Sequence, residues 1–160
     1  MKSSSKLELA VDKNVFYTAA EIDNTSPETS AYAMIVLLKI FAECHTIVVN
    51  EEFLKDVTHK LKTCRNCNKN RAYDIIRLLN RMRAQEKKIR YVEVFESLSG
   101  VPRKDIDVAS FALQSRDKIL ILADINNRIA DEELASILEE KYDVAVFSCK
   151  SFIAFNNLMT

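Results

Sequence analysis

Short, continuous apolar runs punctuate this chain, and stretches of helical periodicity separate them. The runs fall at residues 6–11, 46–49, 119–123 and 143–147 and are rich in Val, Ile, Leu and Ala. A run this short, without alternation, is the signature of a strand buried on both faces. The Ala-, Leu-, Ile- and Met-rich stretch from about Glu28 to Glu43 reads as a helix, with Ser26 or Thr25 as its cap and Pro27 at its first position. Residues 51–62 bring Phe53, Leu54, Val57 and Leu61 to one face. Residues 70–88 align Ala72, Ile75, Ile76, Leu79 and Met82 on one stripe, with Arg77, Arg81 and Lys88 opposite. Segments 105–115 and 131–141 read as further helices, and a short last one starts at Ser151. Residues 91–95 alternate like a half-buried edge strand. Alternation of this kind predicts an α/β three-layer sandwich, in which a central, mainly parallel five-stranded sheet is flanked by helices. No repeat, low-complexity tract or linker interrupts it, so residues 1–160 read as a single domain.

Composition removes several kinds of chemistry. One glycine, Gly100, leaves no glycine-rich phosphate loop and no dinucleotide fingerprint. The two histidines, His45 and His59, have no evident serine or cysteine partner for nucleophilic catalysis. No apolar run approaches the roughly 18 residues of a membrane span. The start of the chain, Met1 to Lys6, lacks the apolar core of a signal peptide. The expectation is a cytoplasmic protein without membrane contact, its thiols reduced. Cys64 and Cys67 have the spacing of a zinc knuckle, and His59 offers a third ligand. No second such pair closes a four-ligand site, so the reading is two free thiols.

Carboxylates remain as the well-supplied catalytic groups, and their placement is ordered. Asp12 follows the first run, Asp56 lies on the helix after the second, Asp105 opens a helix, and Asp124 ends the run at 119–123. In an open α/β sheet the ends of the strands are where ligands bind. Converging carboxylates make a hard oxygen site for Mg²⁺ or Mn²⁺. Charge is distributed just as unevenly. Residues 60–90 carry eleven Lys/Arg against two acids, a net +9 inside a chain of zero net charge. A basic block of this kind suits a polyanion, with Arg77, Arg81 and Lys88 as its outward contacts.

The motifs together resemble the PIN-domain nucleases over nearly the whole chain. Val11-Asp12-Lys13-Asn14-Val15 is similar to that family's opening motif, with Lys13 in place of a common threonine. Residues 47–56 are similar to its second segment, a strand running into a helix that carries an acid. Asp105 to Ala112 is similar to its third and Ile119 to Asp124 to its fourth; residues 143–147 with Ser151-Phe152-Ile153 are similar to its close. The resemblance implies a mainly parallel five-stranded sheet between helices and Mg²⁺- or Mn²⁺-dependent cleavage of RNA, often single-stranded. Asp12, Asp56, Asp105 and Asp124 are then the catalytic metal ligands. Asn14 and Glu52 are secondary candidates, Glu52 lying one turn before Asp56. Two departures stand out: Asp56 is shorter than the usual glutamate, and Leu122 replaces a threonine beside the last aspartate.

Two other readings compete. A PIN-like domain that binds RNA or protein without cutting is favoured by Leu122 and opposed by the retained acids. A phosphoacceptor receiver also cradles Mg²⁺ at strand ends, but no suitably spaced lysine follows a late strand. The apolar helix spanning Ala31 to Ala42 is expected either to be deeply buried or to form a homodimer face. A protein partner, an antitoxin among the options, would be a separate chain.

Overall fold

The computed structural model describes residues 6–23, 25–85, 87–123 and 129–159, with the side chains of 129–131 outside that description. One five-stranded sheet runs through it, in the order β3-β2-β1-β4-β5, and every neighbouring pair is parallel. The strands are β1 (Glu8–Val11), β2 (Thr46–Val49), β3 (Ile89–Tyr91), β4 (Ile119–Leu122) and β5 (Ala145–Ser148). Among the described residues seven α-helices join and follow them: α1 (Lys13–Ala19), α2 (Pro27–Ala42), α3 (Glu51–Thr63), α4 (Lys69–Arg83), α5 (Ile106–Gln114), α6 (Ile129–Tyr142) and α7 (Cys149–Met159). A 3-10 turn at Arg103–Asp105 leads into α5. None of the described helices is long and apolar enough to cross a membrane.

The arrangement is the expected three-layer α/β sandwich. Helix α1 packs on α2, α3 and α4, and α2 packs on α7; α5 rests on β1, β2 and β4, and α6 on β5. Strands buried from both sides need apolar residues at successive positions. Leu9, Ala10 and Val11 are fully buried, as are Val48, Val49, Leu120 and Ile121. Connections run from β1 outward to β3, then return across β1 to β4 and β5. The order of strands therefore reverses between β1 and β4, which sets a crevice at their carboxyl ends.

Several element boundaries differ from the sequence reading. Helix α1 was hidden because Asp12 alone separates it from β1, while Val15 and Phe16 continue the apolar run and are buried. The edge strand lies at 89–91 rather than 91–95. Ile89 is the buried residue there and pairs with Ile47. Only the Val92 amide extends the ladder, to the Val49 carbonyl at 2.9 Å. Helix α2 is capped by Ser26, whose hydroxyl accepts from the Thr29 amide. It buries Ala33, Val36, Leu37 and Ile40 and leaves Ile35 and Leu38 exposed, so most of its apolar surface is used within the chain.

The largest correction concerns the basic segment. Helix α4 ends at Arg83, and the chain then turns back toward β3. Lys88 is therefore not on the outer face with Arg77 and Arg81. It is buried, its ammonium donates to the Phe41 carbonyl at 2.7 Å, and it lies 3.8 Å from the centre of the Phe41 ring. That cation closes the last turn of α2, where carbonyls lack helical partners. A second correction is covalent. Cys64 and Cys67 are joined by a disulfide across the α3–α4 turn instead of standing as free thiols. Their Cα atoms lie 6.0 Å apart, within bridging reach. The turn is held by Asp23 N–H to Asn66 O and Asn68 N–H to Ala20 O, so the pair is fixed close together.

Candidate functional site

Asp12 stands where β1 meets α1, at the edge of the crevice. Its amide donates to the Ile121 carbonyl of β4 at 3.0 Å, which fixes the backbone at the junction of the two strands. It occupies the N-cap of α1 with extended backbone angles, yet its side chain makes no cap bond to that helix. Asp105 stands at the N-cap of α5 with different backbone angles, also without a side-chain cap bond. An ordinary cap aspartate would accept from the second or third helical amide. The capping explanation therefore accounts for neither residue.

A cavity of about 390 Å³ opens beside these two helix starts. Lys13 and Ile106, the residues directly after Asp12 and Asp105, both line it. Helix α3 contributes Glu52 and Asp56, exposed and one turn apart, and Asn50 sits at its cap. The Asn50 side chain accepts from the Phe53 amide at 2.8 Å and sets where α3 begins. Asp56 meets the Lys13 ammonium at 3.6 Å, and that ammonium also lies 5.6 Å from the centre of the Phe53 ring. Val94, Phe95, Glu96, Arg103, Lys104 and Asp107 complete the lining.

Negative potential reaches into the fold from this edge. The Tyr17 phenol is pushed up to about 12, first by burial and then by the charges of Asp56 and Asp12. A phenol held that high stays protonated near neutral pH, so it can donate a hydrogen bond but is not a base there. The Lys60 ammonium lies 4.6 Å from the centre of the same ring.

The residues named from the sequence thus divide. Glu52 and Asp56 share the cavity, and Asp12 and Asp105 flank it through their neighbours. Asn14 is half-buried on the first turn of α1 and is not part of the lining. Asp124 lies outside the described residues. No group of three or more His, Cys, Asp or Glu placed to hold an ion occurs among the described residues. The donor set itself is all carboxylate, which suits Mg²⁺ or Mn²⁺ rather than a soft metal. Arg77 and Arg81 are exposed on α4 and absent from the lining, and Arg77 pairs with Asp74 of its own helix. Sequence reasoning missed Lys13, Phe95, Arg103 and Lys104. The opening motif already contained Lys13, as its one departure. No family model, curated protein or solved structure matches this chain.

Proposed function

We propose that this protein is a PIN-like, metal-dependent ribonuclease, cutting RNA phosphodiester bonds at the carboxyl edge of its sheet. The observation that carries the reading is the cavity bounded by the starts of α1, α3 and α5, with Glu52 and Asp56 on its wall and Asp12 and Asp105 next to its lining. The ordered motifs support it too: Asp12, the pair Glu52 and Asp56, and Asp105 come to this edge from three distant parts of the chain. Asp12, Asp105 and Asp124 would hold a Mg²⁺ or Mn²⁺ ion, with Asp56 or Glu52 beside them. Bound there, the ion would lower the pKa of a water and neutralise charge on the phosphate. The carboxylates would hold the ion, while Lys13 offsets the charge of Asp56 and Tyr17 remains a neutral donor. The same reading gives the protein a cytoplasmic setting, with single-stranded RNA as its substrate.

A second reading, RNA or protein binding without cleavage, is favoured by two features. Leu122 is buried, so that position offers no hydroxyl to the site. The Lys13 ammonium already stands beside Asp56. Incubating single-stranded RNA with the protein in Mg²⁺ or Mn²⁺, with and without EDTA, separates the two. The nuclease reading expects cleavage that EDTA abolishes and that Asp12→Asn lacks. Metal-independent cleavage, or RNA bound and left intact in both ions, contradicts it.

A further inference from the structure

The geometry points to residues 94–104, not the basic helix α4, as the surface that receives a single-stranded polynucleotide, with an unpaired base on Phe95 and flanking phosphates on Arg103 and Lys104. The inference rests on the ribonuclease reading for its choice of ligand, but its observations are its own. Phe95 is 43% exposed, a large apolar ring held in water on the wall of the carboxylate cavity. Its backbone is not loose. The Val92 amide is bonded to the Val49 carbonyl, the Gln114 side chain donates to the Glu93 carbonyl at 2.7 Å, and the Phe95 amide donates to the buried Ser110 hydroxyl at 3.0 Å. Three attachments along four residues fix the backbone that carries this ring, which lowers the ordering cost of binding against it.

The cations are arranged to match. Arg103 and Lys104 are exposed on the 3-10 turn, line the same cavity as Phe95, and form no ion pair among the described residues. Arg77, by contrast, is matched by Asp74. An aromatic face with adjacent unmatched cations is the combination that binds single strands, since bases stack regardless of sequence and phosphates take the charge. Glu52, Asp56, Glu96 and Asp107 lie in the same lining. A polyanion entering here therefore needs cations for its phosphates and a divalent ion to offset these carboxylates. Duplex RNA, whose bases are already stacked, gains nothing from Phe95.

The test uses the full chain and a short fluorescent single-stranded oligoribonucleotide of mixed sequence, with Ca²⁺ replacing Mg²⁺ and affinity read by anisotropy. Phe95→Ala and Phe95→Leu are expected to weaken binding about tenfold, and Phe95→Tyr to retain it. Arg103→Gln with Lys104→Gln should weaken binding and reduce the salt slope by about 1.4, two phosphates on a single strand. Arg77→Gln with Arg81→Gln should leave both unchanged. Absence of wild-type binding, unchanged affinity in the Phe95 and Arg103/Lys104 variants, or loss in the Arg77/Arg81 variant alone would overturn the inference. Failure of the two ideas is distinguishable. Binding at this rim without cleavage in Mg²⁺ or Mn²⁺ removes the nuclease reading and keeps the rim; cleavage with unchanged KM in the rim variants does the reverse.

Discussion

The two edges of the sheet use similar polar side chains for opposite purposes. At the amino edge the start of β1 is tied down by polar groups that reach backbone. The Glu8 carboxylate receives both the Arg90 guanidinium and the Arg116 amide, while the Glu8 amide donates to Asp117. His45 Nδ1 accepts from the Leu7 amide at 2.9 Å, and its Nε2 meets Asn156, which in turn donates to Glu43. At the carboxyl edge, Asp12 and Asp105 occupy cap positions and decline the cap bond, and Glu52 and Asp56 face a cavity. Charge bonded to the backbone builds the fold at one edge; at the other, Glu52 and Asp56 line a cavity and Asp12 and Asp105 make no cap bond. Substitutions should therefore separate cleanly, with stability lost from one edge and activity from the other.

The largest expected effect is Asp12→Asn, which should lower RNA cleavage by 100-fold or more, about 3 kcal/mol in the barrier. Its melting temperature should hold, because asparagine keeps the shape of the side chain and an oxygen that accepts hydrogen bonds. A melting temperature that falls sharply would make Asp12 a structural residue and erase the contrast. At the other edge, His45→Ala should cost about 3 kcal/mol of stability, since it leaves the Leu7 amide and the Asn156 side-chain oxygen without their His45 partner and opens a cavity. Chemical denaturation reads the loss, and cleavage per folded molecule should be unchanged.

His45 also makes the amino edge sensitive to pH. Burial lowers its pKa from the ordinary 6.5, against smaller upward contributions from the Asn156 hydrogen bond and the charges of Glu43 and Asp117. Because Nδ1 accepts from the Leu7 amide, a second ring proton would break that bond. The unfolded chain takes up a proton as pH falls through 6.5, whereas the folded chain resists it. Stability should then decrease as pH drops below about 6.5, down to the lower folded value. His45→Gln should flatten that slope in denaturation curves across this window. A slope that survives the substitution would assign it to other groups.

The smallest effect tests backbone conformation at the same edge. Lys118 precedes β4 with φ at 48°, a left-handed conformation unfavourable for a side chain bearing Cβ. Lys118→Gly should raise stability by about 0.5 kcal/mol, the relief of that strain less the extra unfolded-state entropy of glycine. A loss instead would show that the Lys118 side chain contributes contacts that outweigh the strain.

Much of this contrast was legible before the structure, and the missing parts have physical causes. The strands at 46–49 and 119–123 were readable because burial on both faces forces an unbroken apolar run. The third strand has only Ile89 buried, so three residues carried too little signal, and the alternation at 91–95 belongs to a strap that exposes Phe95. Lys88 was misplaced because a charge count does not register a buried stem, nor an ammonium capping α2 from outside that helix. The positions of Asp12 and Asp56 were readable from the apolar runs before them, and that of Asp105 from the helix it opens. Arg103 and Lys104 were not, because they join the cavity through the fold and sit in a turn without periodic pattern.

We propose that the carboxyl edge holds a divalent ion through Asp12 and Asp105, and calorimetric titration of Mn²⁺ reads that binding. The wild-type chain should bind Mn²⁺ saturably. Asp12→Asn and Asp105→Asn should each lose that binding, His45→Gln should keep it, and Lys13→Ala should tighten it by removing the competing ammonium beside Asp56. Saturable binding that persists unchanged in both Asp12→Asn and Asp105→Asn, or no saturable binding by the wild type, would contradict the account.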